Sequence, residues 1–314
     1  MNNVLITGAA GNIGCSLVHK LIRNKDLFIV AVDNLSTGFV KNLPQNHPAN
    51  YKFYKCDVNQ SLPLRKIASQ HQFDYIFHYA AMVGVERTLA RPLKVLRDID
   101  GLKNIIDLAK NHRVKRIFFS SSSEVYGESF HFPQHEETTP LNSRLPYAVV
   151  KNAGEAFLKA YHAEFGLSYT IMRFFNTYGP TQTCDFVIPR FIKAALEGRD
   201  IPVRGKGTQT RTFCYIDDNI DFTDIILRKS LFENEVVNVG NDNEHTITDL
   251  ARLIREITGS RSKIVHLPAL PEGDMTRRKP DLTRMKSVLK RELISLEEGV
   301  TKMVDIFKQN NHVS

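Results

Sequence analysis

Strand-like VLITG runs directly into Gly8-Ala-Ala-Gly11-Asn-Ile-Gly14 and on into SLVHKLI, whose apolar residues recur at helical spacing. So short a passage from strand to helix asks for backbone conformations and close approaches that a β-carbon blocks. The GxxGxxG spacing therefore predicts a strand–turn–helix unit. It is a variant of the GxGxxG turn, which brings a pyrophosphate against the backbone at a helix N-terminus. Taken alone, the same glycines would also serve a turn without a ligand. The next strand, LFIVAVD, ends at Asp33, the distance downstream at which a carboxylate meets a ribose. Such a carboxylate accepts from a 2′-hydroxyl and repels a 2′-phosphate, which predicts NAD over NADP. Asn34, Ser36, Thr37 and Gly38 would then lie beside the adenosine.

The alternation continues down the chain. YKFYKCDV reads as a strand ending at Asp57 and Val58, a plausible adenine contact. FDYIFHYAA reads as a buried strand whose small Ala80 and Ala81 let a cofactor pass close to the backbone. RPLKVLRDIDGLKNIIDLAKNH reads as one long helix, and VKRIFFSSSSEVYG as a strand ending in polar residues. These elements predict an α/β protein with a doubly wound parallel sheet and its site at the carboxyl edge. A dinucleotide-binding domain would span residues 1–175 and a substrate-binding lobe residues 176–314. NEVVNVGN is expected to return to the first sheet, so the two lobes would interleave near 213–240. ITDLARLIREITG reads as an amphipathic helix closed by glycine, and LISLEEGVTKMVDIF as a final helix before a frayed NNHVS. The proline- and charge-rich stretch from Leu267 to Arg284 would fold over the ligand.

Composition excludes several classes. The 314 residues suffice for a large core, and no run approaches the ~18 apolar residues of a membrane span. Met1 runs almost at once into the first strand, which leaves no room for a secretory leader and predicts a cytoplasmic protein. The four cysteines (Cys15, Cys56, Cys184 and Cys214) form no CxxC pair and read as reduced thiols. A net charge of +8 is spread along the chain without a dense basic run or a nucleic-acid motif. It reads as a basic protein that binds no nucleic acid, with some arginines free for a small anionic ligand. His131 and His135 share a polar loop without a third ligand, so no metal site is expected.

Tyr147 and Lys151 stand at i and i+4 in PYAVVK, a spacing that puts both on one helix face. An ammonium beside a phenol favours phenolate, so the tyrosine is expected to titrate below its usual value near ~10 and to accept a proton. Ser122, at the end of a strand and in the spacing S-x-x-V-Y-G, could orient a substrate hydroxyl or simply close a turn. Glu124 could bind sugar hydroxyls, act as a base, or be solvated.

The residues now in view resemble a known family, the extended short-chain dehydrogenases/reductases that modify nucleotide-diphosphate sugars. TGAAGNIG, VDNLSTG, HYAA, SSSEVYG, PYAVVK, RFFNTYGP, GKGTQTRTFCYIDD, NVGN and RRKPDL occur in the family's order, essentially end to end. The resemblance implies a tyrosinate that removes the sugar 4-hydroxyl proton while the C4 hydride goes to tightly held NAD, leaving a 4-keto sugar. Carried over by motif, Tyr147 is the base, Lys151 its electrostatic partner and a nicotinamide-ribose ligand, and Ser122 the orienting hydroxyl. Asn12, Ile13, Tyr79 and Ser120 join the cofactor set. Val83, Ser123, Glu124 and Val187 join the substrate set. Asn176, Arg211 and Arg278 fall beside the substrate diphosphate. Two helices, around Leu93–Lys110 and Tyr147–Ala163, would pair across a homodimer axis.

Three features bear on the reaction. The 4,6-dehydratases carry an Asp-Glu pair where this chain has Ser123-Glu124, so their usual acid for expelling water is missing. The UDP-glucuronate decarboxylases share the Ser-Glu-Val-Tyr-Gly run and Arg278-Lys279-Pro280-Asp281, but not the loop MVGVERTLARP. The 4-epimerases match DNLSTG, YxxxK and NVGN, and usually lack a glutamate at 124. Asp98 stands where the family generally has an asparagine. The resemblance thus implies a UDP-sugar 4-epimerase, with a UDP-glucuronate decarboxylase as the alternative. A 4,6-dehydratase or a noncatalytic NAD-binding protein ranks below both.

Overall fold

A computed structural model describes residues 1–46, 48–269 and 275–311. Its centre is a seven-stranded sheet of β1 (Asn2–Thr7), β2 (Leu27–Asp33), β3 (Tyr51–Lys55), β4 (Tyr75–His78), β5 (Arg116–Ser122), β6 (Tyr169–Phe174) and β7 (Glu235–Val239). The spatial order is β7-β6-β5-β4-β1-β2-β3, and every pairing is parallel.

Successive strand residues point to opposite faces, and here both faces are covered. Val4, Ile6, Ile29, Ala31 and Phe118 enter one core, while Leu5, Val30, Val32, Ile117 and Phe119 enter the other. This is why the strands read as continuous apolar runs rather than as alternating ones. Phe77 stacks on Phe118 with ring centroids 4.4 Å apart, tying β4 to β5.

The chain steps outward from β1 to β3 and then returns to the other side of β1 with β4. The crevice over the carboxyl ends of β1 and β4 is therefore the topological switch point. Gly8 occupies it with φ +67°, and a β-carbon there would lie 2.7 Å from the Ala80 backbone nitrogen. Only glycine lets the two strand ends approach so closely.

Beyond β6 the chain builds short elements. Among them are the helices Val187–Leu196, Ile216–Arg228 and Ile247–Thr258, with β7 inserted along β6 from Glu235↔Thr170 to Val239↔Phe174. The Thr246 hydroxyl caps the third of these helices by accepting from the Asp249 amide at 3.0 Å, and left-handed Gly259 ends it.

The stretch expected as one helix before β5 is two, Pro92–Leu96 and Asp98–Asn111. Arg97 between them keeps helical angles (φ −66°, ψ −17°), so the path continues while the hydrogen-bond ladder breaks. Of the stretch expected to fold over the ligand, residues 270–274 lie outside the described residues, as do 312–314 of the expected tail. The part from Thr276 to Asp281 bridges Thr210 through Arg277 and Gln134 through Pro280. Among the described residues no helix is long and apolar enough to cross a membrane, and no cluster of candidate ligands could hold a metal.

Candidate active site

The crevice opens into a cleft of about 1230 Å³ between the sheet edge and the later elements. Of the residues expected to act in catalysis or to bind cofactor or substrate, all line it except Gly38. Gly38 is packed instead on Ala10, whose Cβ would lie 2.7 Å from an added β-carbon, so its part is to let the loop after β2 close on the glycine turn.

The turn suits a dinucleotide. A β-carbon on Gly14 would lie 2.1 Å from the Gly8 carbonyl, so the helix Asn12–Leu21 can start against the turn only with glycine there. That helix has no side-chain cap and no acidic residue in its first turn, leaving its N-terminal amides to an anion. Asn12 accepts from the Thr181 hydroxyl at 2.9 Å through Oδ1, while its buried Nδ2 has no partner among the described residues. The Asp33 carboxylate accepts from the Ala10 and Leu35 amides at 2.9 and 2.7 Å, which fixes it at the cleft wall with lone pairs left for a ribose. The residues present therefore fit NAD.

The helix Pro146–Phe165 places Tyr147 and Lys151 one turn apart, with proline in its first turn. Lys151 is buried, its Nζ 5.7 Å from the Tyr147 ring centroid and 5.0 Å from that of Phe119. It donates to the Ser120 hydroxyl at 3.3 Å, and Ser120 donates to the His78 carbonyl at 3.1 Å. Ser122 ends β5 and lines the cleft with Tyr147, whose pKa it lowers.

The expectation that Lys151 would lower the Tyr147 pKa is overturned. Burial drives the phenol well above its ordinary value, and the Glu124 and Asp98 carboxylates raise it further, against the lowering by Ser122 and Arg278. Lys151 itself is lowered to about 8 by burial, opposed by Asp98. A buried ammonium pays desolvation before it can stabilise a neighbour, so i,i+4 spacing alone does not yield a phenolate.

Glu124 is neither solvated nor isolated. Its carboxylate meets the Arg278 guanidinium at 3.1 Å, with both side chains mostly buried. Asn176 (φ +39°) donates its Nδ2 to the Thr212 carbonyl at 2.8 Å, and Arg211 donates to the Thr210 carbonyl at 2.8 Å. Beneath the serine run, Ser121 donates to Glu155, which pairs with Arg173 at 2.9 and 2.7 Å. Arg173 in turn donates to Tyr126 at 2.8 Å, so one buried ion pair braces β5, β6 and the turn after Ser122.

Sequence reasoning passed over the charged lacing across the cleft mouth. Arg87 pairs with Asp185, while Glu86 pairs with Arg190 at 3.1 Å and with Arg204 at 3.4 Å. These contacts join the helix Val85–Ala90 to elements about a hundred residues away, and no local pattern announces them. Thr181, which ties the GP turn to Asn12, was equally silent.

A phosphate turn at the switch point, a carboxylate closing β2 and a serine–tyrosine–lysine set at the end of β5 define a class: dinucleotide-dependent α/β enzymes of the short-chain dehydrogenase/reductase type. Comparison with known proteins narrows it. The model of the NAD dependent epimerase/dehydratase family matches residues 4–240, and the chain belongs to that family. It is 33% identical over 320 positions to a UDP-N-acetyl-alpha-D-glucosaminuronate decarboxylase of Bacillus cytotoxicus, covering 97% of each chain. It is 30% identical to a putative UDP-glucose 4-epimerase of Methanocaldococcus jannaschii, covering 98% of this chain and 99% of that protein. Among solved structures, the UDP-glucose 4-epimerase of Thermotoga maritima with UDP-glucose superposes with a TM-score of 0.92 at 32% identity, over 98% of this chain and 99% of that one. The protein is thus an NAD-dependent enzyme of the epimerase/dehydratase type.

Proposed function

We propose that the enzyme 4-epimerises a UDP-linked sugar. The observation that carries this reading is the placing of Ser122 and Tyr147 on one cleft wall, with buried Lys151 one helical turn further along. Ser122 would orient the 4-hydroxyl, and Tyr147 would take its proton as the carbon is oxidised to a 4-ketone. NAD, when bound, supplies the acceptor for the departing hydride and returns it. After the sugar turns in the cleft, Tyr147 gives its proton back to the oxygen and the opposite configuration results. Asn176, Arg211 and Arg278 are the groups proposed to meet the diphosphate, through charge-assisted contacts. Ser123 offers no acid for expelling water, which argues against dehydration.

A second reading has its own support. The Glu124–Arg278 pair stands beside Tyr147 in the cleft, and one close relative is a uronate decarboxylase. In that reading the 4-ketone would draw the electrons of the departing carboxylate, and the pair would handle the proton. Against it, the pair neutralises itself and offers no net charge to a uronate.

Incubation with UDP-glucose, UDP-N-acetylglucosamine, UDP-glucuronate and their 4-epimers separates the readings. Chromatography with mass detection should show a new peak of unchanged mass. Loss of carbon dioxide from UDP-glucuronate would replace epimerisation with decarboxylation. Undiminished activity of Tyr147→Phe in the cell would overturn both and leave a noncatalytic NAD-binding protein. A homodimer is proposed from apolar Leu93, Leu96 and Val149, exposed on the helices Pro92–Leu96 and Pro146–Phe165. Light scattering that returns a monomer mass would refute it.

A further inference from the structure

Glu244 does not line the cleft and neither chemistry described above uses it, yet it holds both neighbours of Arg278. Its two carboxylate oxygens each accept from the Arg277 guanidinium at 2.7 Å, and Oε2 stands 3.5 Å from the Lys279 ammonium. The Thr210 hydroxyl donates to its Oε1 at 3.1 Å. Successive side chains of an extended segment point to opposite sides. Arg278, between the two, is therefore turned the other way, where it is buried and meets Glu124 at 3.1 Å. We propose that Glu244 is a positioning residue: it clasps the segment Thr276–Asp281 so that Arg278 and Arg211 face a nucleoside diphosphate together.

Arg211 is tied to the same carboxylate through the backbone. The strand Glu244–Thr246 runs antiparallel to Thr210–Thr212, with His245 opposite Arg211. Thr210 also bridges Arg277, its amide donating to the Thr276 carbonyl at 3.0 Å. Glu244 thus joins its own strand, the strand of Arg211 and the segment of Arg278 with one side chain. Beyond Arg278, the Gln134 amide donates to the Lys279 carbonyl at 2.7 Å, and its carbonyl accepts from the Asp281 amide at 2.8 Å. The Arg277 guanidinium also lies 4.6 Å from the Phe132 ring centroid. Isolated surface ion pairs contribute little, but a bidentate arginine within a network is the exception. Arg277 holds the Glu244 carboxyl down to about 2, so the clasp is charged at neutral pH.

This inference rests on the proposed reading of Arg211 and Arg278 as diphosphate contacts, and its test lets the two fail separately. NAD-saturated protein is titrated with UDP by calorimetry, and exchange of the backbone amides in Thr276–Asp281 is followed by mass spectrometry. Glu244→Gln keeps an acceptor for Thr210 and removes the charge, while Arg277→Met removes its bidentate partner. Each should speed that exchange and weaken UDP binding about tenfold, the order of one charge-assisted contact. Affinity for NAD, titrated separately, should not change. The double variant should bind UDP no more weakly than either single one, because both remove the same clasp. Additive losses, or unchanged UDP affinity where Arg278→Leu loses it, would overturn the positioning role. So would an equal fall in NAD affinity, which marks a general loosening. Faster exchange in Glu244→Gln, with UDP held undiminished even by Arg278→Leu, keeps the clasp and refutes the diphosphate contacts instead.

Discussion

The Arg278 guanidinium lies 3.1 Å from the Glu124 carboxylate across 154 residues of chain, and this pair stands beside the phenol of Tyr147. Glu124 raises the Tyr147 pKa and Arg278 lowers it. Glu124→Gln leaves the guanidinium unopposed, so ionisation of Tyr147 becomes easier and the acidic limb of the pH–rate profile should move to lower pH. Arg278→Leu leaves the carboxylate unopposed and should move that limb to higher pH. Profiles of kcat/KM for the two variants check the signs, and shifts in the same direction would contradict the pairing.

Asp33 is proposed to select NAD. Asp33→Asn removes the charge that repels a 2′-phosphate and keeps an acceptor for one of the Ala10 and Leu35 amides, which bond different carboxylate oxygens. The preference for NAD over NADP, measured by calorimetric titration, should narrow by roughly tenfold, equivalent to about 1.4 kcal/mol. Stronger binding of NADP than NAD by the unaltered protein would refute the assignment.

The Glu155–Arg173 pair is buried on both sides, each side chain 2% exposed. Glu155→Gln should leave an uncompensated guanidinium and cost about 3–5 kcal/mol in a denaturant titration. Replacing both residues with apolar ones of similar volume should recover much of that loss, because no buried charge then remains.

His78 should make the protein acid-sensitive. Its folded pKa, lowered by burial to about 3, lies below the ordinary imidazole value of 6.5, so the fold binds the neutral ring. The stability it contributes is complete above about 6.5 and is lost as pH falls toward 3. Across that window one proton costs about 1.4 kcal/mol per pH unit. His78→Asn should flatten the fall in unfolding free energy by that slope.

The legible parts of the site are those whose cause is local. The glycine turn, Asp33 and the period of the strands each follow from residues within one strand–turn–helix unit. The structure places them at the crevice over β1 and β4. Asn12 was legible as part of a motif, whereas its orientation by Thr181 comes from a contact 169 residues away. Gly38 has a packing cause that its motif does not announce, the close approach of Ala10.

Sequence by itself determined the doubly wound sheet, its carboxyl-edge site and the one-turn pairing of Tyr147 with Lys151. Hydrophobic period, glycine geometry and helical spacing all act over a few residues. Tertiary structure alone decided the electrostatics. The phenol is raised rather than lowered, burial lowers Lys151 against the opposing charge of Asp98, and Glu124 is held by Arg278. Burial and charge act through space, so every element that closes the cleft contributes to them, however distant it is along the chain.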